Sequence, residues 1–390
     1  MAKTRIGIDV GSTAVRVAEV AAGDVPVVVR AAQVPLAPGV VEAGEVRRPE
    51  AVAEALREVW SKSGVQTKQV YLGVGNQRVI VREVALPWLP EEQLRDTLAF
   101  QVQEFIPMAA DDAVLDFDPL GEFDQGGRRM QRIMLVAANK GMINALVDAA
   151  MAAKLDPVGI DLTPFAVIRA VGTGDEGLDL GGFGDEAIID IGAQVTSICV
   201  HERGVTRFVR MLPSGGRDIT LALASGLGID EDVAERLKRG DRPGPVAELP
   251  SVRTETRAEG LLASEPAQAS APLPPRPAAP SNGKLPDRAG VRTLALARAG
   301  SFVDEVRSSL EFYAAQLPNA QIGSVLVVGG GSRLDGLLEL LQERLPVPVD
   351  RGRLFERAKS ELDLSAEAAA EAEAVLSVAV GLAIPTRRPA

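Results

Sequence analysis

Three glycine turns, each set directly after an apolar strand-like run, constrain this chain more than any other feature. They are Asp9-Val10-Gly11-Ser12-Thr13 after Arg5-Ile6-Gly7-Ile8, Asp190-Ile191-Gly192-Ala193-Gln194 after Ala187-Ile188-Ile189, and Gly329-Gly330-Gly331-Ser332 after Ser324-Val325-Leu326-Val327-Val328. Glycine lets a backbone come close to an anion, and its turn aims N–H groups at it. Asp9 and Asp190 end two of these strands, where an open sheet sets carboxylates beside a bound ligand. Hard oxygens there suit Mg²⁺, which keeps several of its waters. A single Asp-x-Gly segment reads as an ordinary hairpin turn. Two of them in separate halves, followed by a later glycine turn, point to a nucleotide.

With 390 residues the chain can hold two domains with real cores, and 46% hydrophobic against 4% aromatic content predicts cores built of Ala, Val, Leu and Ile. A net charge of -11 argues against nonspecific binding to nucleic acid or anionic lipid. One cysteine, Cys199, excludes a disulfide framework, and its apolar surroundings predict a buried strand residue. The one histidine, His201, abuts Glu202-Arg203-Gly204 and reads as a surface turn residue. No apolar run reaches bilayer length and none precedes the first strand, so the expected location is cytoplasmic.

Along the chain, strand, turn, strand and a further strand near 25–33 lead to a helix from Pro49 to Gly64 and a strand over 70–74. Residues 76–156 read as a separate α+β unit. In it a strand at 79–84 precedes a helix with Leu94, Leu98, Val102 and Phe105 on one face, ended by Pro107. Two strands at 113–117 and 131–137 flank Gly126-Gly127, and a helix over 142–154 closes the unit. The Gly-rich stretch 172–184 reads as a hinge into the second half, which starts at Asp185. Residues 241–290 hold ten of the 26 prolines and no aromatic residue, which predicts a disordered insertion. Helices are expected over 292–317, 334–345 and 366–384, the last packed on the first domain.

The order of the turns resembles the actin, Hsp70 and sugar-kinase superfold. Within it, Arg82-Glu83-Val84-Ala85-Leu86-Pro87, Gln103-Glu104-Phe105-Ile106-Pro107, Leu135-Val136-Ala137-Ala138-Asn139-Lys140 and Glu305-Val306-Arg307-Ser308-Ser309-Leu310-Glu311-Phe312-Tyr313 together resemble the PilM family of type IV pilus assembly. The resemblance covers nearly the whole chain outside 241–290. FtsA is less similar, since it normally ends in an amphipathic membrane helix and this chain ends Ala383-Ile384-Pro385-Thr386-Arg387-Arg388-Pro389-Ala390.

This resemblance implies an α/β, two-domain actin-like ATPase fold with ribonuclease H-like halves and an inserted subdomain, 1C, of FtsA/PilM type. The first domain is expected over 1–75, 157–184 and 351–390, the inserted subdomain over 76–156, and the second domain over 185–350. ATP and Mg²⁺ are the expected cofactors. Asp9 and Asp190 would organise the metal, Asp190 through a water. Gly11, Ser12, Thr13, Gly192, Ala193 and Gln194 would hold phosphates. The family pattern Ala-Glu-x-x-Lys falls on Ala234 to Lys238, so Lys238, with Glu305, Gly215, Gly216, Gly329, Gly330, Gly331 and Ser332, would surround the rest of the nucleotide. Lys238 and Glu305 read equally well as solvated charges. For hydrolysis, Asp161 and Asp190 are the candidates, with slow turnover at most, because ordinary carboxylates are weak bases near neutrality.

The resemblance further implies docking of the cytoplasmic N-terminal peptide of a PilN-like bitopic membrane protein, and through it coupling to pilus motor and platform proteins. The chain would thus be peripheral to the inner membrane without inserting in it. An FtsA-like filament former and a small-metabolite kinase of the same superfold remain alternatives.

Overall fold

The computed structural model describes residues 4–173, 184–240, 287–316 and 320–386. Strands β1 (Thr4–Val10), β2 (Ala14–Ala21) and β3 (Val27–Pro35) form an antiparallel meander. A small hairpin of β4 (Val41–Glu42) and β5 (Glu45–Val46) leads to α1 (Pro49–Ser63). Pro49 opens that helix, and Gly64 ends it in the left-handed conformation at φ 68°. Val52, Leu56, Val59 and Trp60 form its buried stripe. β6 (Gln69–Val74) then joins β1 in parallel.

The chain leaves this sheet to build a second one from β7 (Ile80–Pro87), β8 (Ala113–Gln125) and β9 (Arg128–Asn139), ordered β7-β9-β8. Helix α2 (Glu91–Gln101) covers it with Leu94, Leu98 and Val102 buried. The helix ends four residues before the expected Phe105, which lies in a single 3-10 turn. Ile106 is already extended, as the residue before a proline should be. The two long strands exceed the expected 113–117 and 131–137, since charges read as loop are cross-strand partners: Arg129 pairs with Glu122 at 2.6 Å.

α3 (Lys140–Ala152) and β10 (Asp156–Leu162) return to the first sheet. The expected inserted unit 76–156 includes α3, whose buried face turns toward the first sheet. Ile143, Leu146, Ala149 and Ala150 lie in the core shared by α1 and the first sheet, so the inserted sheet is the part between Ile80 and Asn139. α4 (Thr163–Val171) follows.

The second half repeats the plan with β11 (Asp185–Ile191), β12 (Thr196–Glu202) and β13 (Val205–Leu212). Next come α5 (Gly216–Leu227), α6 (Glu231–Arg239), α7 (Arg288–Gln316), β14 (Ile322–Val328), α8 (Leu337–Arg344) and β15 (Val349–Arg351). The orders β3-β2-β1-β6-β10 and β13-β12-β11-β14-β15 are the same, three antiparallel strands followed by two parallel ones. α9 (Leu354–Arg357) and β16 (Lys359–Ser360), which extends the first sheet beside β3, lead back to the first half.

The expected insertion 241–290 lies outside the described residues except for its end, where α7 already begins at Arg288. Most of the expected hinge 172–184 lies outside them as well.

The expected final helix is two helices, α10 (Ala366–Val375) and α11 (Ser377–Ala383). The carbonyl of Ala374 is taken at 2.8 Å by the Gly329 N–H, which frees the axis to turn at Leu376. α11 and α4 fill the layer between the two sheets, with Ala166, Val167, Ala379, Val380 and Leu382 among their buried residues. The packing is close to backbone contact: a Cβ on Gly7 would fall 1.9 Å from Ala379 O, and one on Gly381 would fall 1.8 Å from Ala166 O.

Candidate functional site

β1 and β11 are each followed by a turn closed by the same hydrogen bond. The Gly11 N–H donates to Ala14 O at 3.0 Å and the Gly192 N–H donates to Val195 O at 3.0 Å. Among the described residues, the N–H groups of Ser12, Thr13, Ala193 and Gln194 donate to no backbone carbonyl. Each turn therefore has two backbone donors that no carbonyl of the described residues claims. Strand alternation puts Asp9 on the face of Gly7, which packs on α11, and Asp190 on the face of Ile188. Both carboxylates thus look into the layer between the halves.

Register decides their partners. Asp9 lies opposite Arg16 across its hairpin, and Arg16 Nη1 donates to Asp9 Oδ2 at 3.1 Å, both side chains being 15% exposed. Asp190 lies opposite Ser197 and has no ionic partner among the described residues. Burial pushes the Asp190 carboxyl up to about 7, with the negative charge of Asp9 adding to the effect and Arg16 opposing it. Burial also raises Asp9, against the pull of Arg16. Arg16 escaped the sequence reading. Its signal was there, since a tight turn centred on 11–14 places residue 16 opposite residue 9.

The third turn abuts the second. Gly329 has φ 85°, and a Cβ there would fall 2.4 Å from Asp190 Oδ1 and 2.5 Å from Ile191 O. Ser332 is buried and its hydroxyl donates to Gly329 O at 2.8 Å, so it closes the turn; Gly330 is exposed beside it. Gly215 and Gly216 lie behind the second turn: the Gly216 N–H donates to Gly192 O at 3.0 Å and the Arg217 N–H to Ala193 O at 2.8 Å. These amides hold the turn in place.

Lys238 Nζ reaches Gly216 O at 2.9 Å, Thr220 Oγ1 at 2.7 Å and the Glu235 carboxylate at 2.6 Å. Burial works against ionisation of Glu235, but Lys238, Thr220 and Arg239 outweigh it and hold the carboxyl at about 2. A Cβ on Gly216 would lie 3.6 Å from Lys238 Nζ and 3.8 Å from Gly331 Cα, so α5, α6 and the third turn meet here. Glu305 is exposed on α7 and accepts from the Ser214 hydroxyl at 3.4 Å.

Asp161 is placed differently. The pairs Ile8↔Leu72 and Asp161↔Gly73 set it level with Asp9 but two strands away, roughly 10 Å across the sheet. Its carboxylate is held by Arg169 at 2.5 Å, and that guanidinium also donates to Gly381 O at 3.0 Å.

His201 corrects the expectation of a surface residue. It is 1% exposed, because β12 continues to Glu202 and both faces of the strand are covered. The Gly204 N–H donates to its Nδ1 at 3.1 Å, which leaves Nε2–H to donate to Glu186 at 2.9 Å. Glu186 also accepts from the N–H and hydroxyl of Thr173, at the end of the first half. Cys199 is buried as expected, and burial pushes its thiol far up, out of the reactive range.

The family described as type IV pilus assembly protein PilM matches residues 7–246. The chain belongs to the PilM family. The family described as cell division protein FtsA also matches, over 187–374. A PilM–PilN type IV pilus biogenesis complex contains a chain of the same fold, with TM-score 0.76, 24% identity and 97% of each chain covered. MreB 5 of Spiroplasma citri, bound to AMPPNP, has TM-score 0.51 and 13% identity, with 98% of this chain and 95% of that one covered. FtsA of Bacillus subtilis is 32% identical over 105 residues, which span 27% of this chain and 23% of that protein. The PilM-family fold is thus the α/β actin-like ATPase fold with an inserted subdomain, as the resemblance implied. No helix among the described residues is long and apolar enough to cross a membrane.

Proposed function

We propose that this PilM-family chain is a nucleotide-dependent scaffold of type IV pilus assembly, which binds Mg·ATP between its halves and docks the cytoplasmic N-terminal peptide of a PilN-like membrane protein. The observation that carries the cofactor is the Asp9–Arg16–Asp190 constellation between two matched turns. Two largely buried carboxylates, each with its proton affinity raised by burial and that of Asp190 raised further by the charge of Asp9, form a site in need of a cation. The four free amides of Ser12, Thr13, Ala193 and Gln194, with Arg16, supply donors for phosphate oxygens. Among the described residues no group of three or more His, Cys, Asp or Glu gathers to hold a metal. A Mg²⁺ held by Asp9 and by Asp190 through water would therefore complete its shell from phosphate oxygens and further waters.

Gly329, Gly330 and Gly331, with Lys238 and Glu305, are proposed to border the nucleoside. Gly11, Gly192, Gly215, Gly216 and Ser332 fix the shape of the turns. A resident cation would return Asp190 to the ionised form, which would make it a metal organiser and a poor base, and Asp161 is committed to Arg169. Slow hydrolysis at most follows. The AMPPNP held by a protein of this fold and the PilN held by another support the cofactor and the partner. The partner tethers the scaffold to the membrane and connects it to the pilus platform and motor.

Calorimetry with Mg·ATP on the wild type, Asp9→Ala and Asp190→Ala tests the cofactor. Wild-type affinity in both variants would refute the site. A synthetic N-terminal peptide of the PilN-like partner should bind at micromolar strength or better, and unchanged binding to a folded variant lacking residues 80–139 would refute docking at the inserted sheet.

A further inference from the structure

The β4–β5 hairpin stands between the cleft and the root of the inserted sheet, and it is fastened at both ends. At its tip the Ala43 N–H donates to Gln194 Oε1 of the second half at 2.7 Å. Ala43 and Gly44 have φ 47° and 79°, the paired left-handed conformations of the tightest hairpin turn. Alanine pays a steric penalty for that conformation, so the tip holds a geometry its sequence does not favour. On the other side, a Cβ on Gly44 would fall 2.4 Å from Gly75 O and 2.9 Å from Asn76 Cβ. The hairpin thus rests directly on the backbone where the chain departs for the inserted sheet.

The root is itself a tied point. Asn76 is fully buried, accepts from the Arg78 N–H at 2.8 Å, and contacts the sulfur of Met142, where the chain comes back. The Glu45 carboxylate, 13% exposed, pairs with Arg47 at 3.1 Å and with Arg78 at 3.0 Å. One charged group therefore joins the hairpin to the first residues that lead into β7.

We propose that the β4–β5 hairpin is a strut that couples the position of the second glycine turn to the root of the inserted sheet. Its mechanical part stands on the contacts alone, whereas the statement that nucleotide drives it rests on the cofactor reading above. When the halves move relative to each other, Gln194 carries Ala43 with it, and Gly44 and Glu45 pass the displacement to Gly75, Asn76 and Arg78. Coupling of this kind is reciprocal, so a partner that fixes the inserted sheet biases the cleft to the same degree.

Amide hydrogen exchange without any ligand tests the strut. Gln194→Ala should raise exchange at residues 43–46 and also at 76–83, by roughly two- to tenfold, the range for losing one hydrogen bond. Glu45→Gln cuts the lower end and, because the coupling is reciprocal, should raise exchange at 76–83 and at 192–195 as well. A Gln194→Ala response confined to 43–46 would overturn the proposal. In a second arm, Mg·AMPPNP should alter exchange at 76–83 in the wild type and leave it unaltered in Glu45→Gln. Calorimetric binding without any such change would overturn the coupling. An absence of binding would count against the cofactor reading alone, and the ligand-free arm would still decide the strut.

Discussion

In the first half of the cleft Asp9 faces Arg16 across its hairpin, whereas in the second half Asp190 faces Ser197. The strand order, the turn hydrogen bond and the pair of free amides are the same on both sides. Only the residue seven positions after the aspartate changes the chemistry. With Arg16 the first carboxylate carries its own countercharge. Without one, the second stays close to protonation at neutral pH, and the Ser197 hydroxyl beside it is buried with no hydrogen-bond partner. One backbone plan therefore yields one half-site that is balanced when empty and one that waits for a cation.

Removing each aspartate in turn should break this comparison most strongly. Both Asp9→Ala and Asp190→Ala should weaken Mg·ATP by a hundredfold or more, about 3 kcal/mol, the scale of a metal-organising group. Their stabilities should diverge. Asp9→Ala strands the Arg16 guanidinium and should lower the melting temperature. Asp190→Ala removes a group whose folded-state pKa is raised, and the stability such a group contributes is lost as pH rises through about 7. That variant should match or exceed wild-type stability at pH 8, a result thermal unfolding would check directly. Equal losses in both variants would mean the halves are not asymmetric.

Arg16→Met makes the first half resemble the second. It should cost about 2 kcal/mol of stability, the value of a charged hydrogen bond in a partly buried place, measured by urea unfolding. The pH dependence of binding sharpens the comparison at the next level. In the proposed site Mg²⁺ is held with Asp190 ionised, so wild-type affinity should rise by up to about tenfold per pH unit below 7 and level off above it. In Asp190→Asn that slope should vanish. Last, Ser197→Ala removes a hydroxyl that has no partner, and its melting temperature should stay within error of the wild type or rise slightly.

Much of this arrangement was legible in the residues. Pro49 and Gly64 bracketed α1 because each supplies a backbone conformation that other residues resist, and the three apolar runs before glycine turns were β1, β11 and β14. What escaped depended on register. Arg16 and His201 owe their roles to the strand residue opposite each, Asp9 and Glu186, and composition does not reveal pairing. The packing of α3 on α1 and the first sheet was not legible either, because an amphipathic pattern shows that a face is buried without showing what buries it. The break at Leu376 came from a tertiary hydrogen bond to Gly329, invisible to any local rule. Which backbone groups near the turns are already engaged could not be read from the residues: the Gly215 amide donates to Asp218, the Gly216 amide to Gly192 O and the Arg217 amide to Ala193 O.

The position of α11 has a consequence for how the chain acquires its structure. This helix lies at the centre of the molecule, between the two sheets, yet Ser377–Ala383 follows every strand of both in sequence. During vectorial synthesis each sheet can collapse on its own outer helices, but the layer between them, which α4 fills only in part, stays incomplete until these seven residues arrive. Because Gly7 and Gly381 leave no slack against the backbones they touch, the late helix must enter as a fitted key. Nascent chains stopped before Ser377 should be the aggregation-prone species, and holding them unassembled is work for a chaperone.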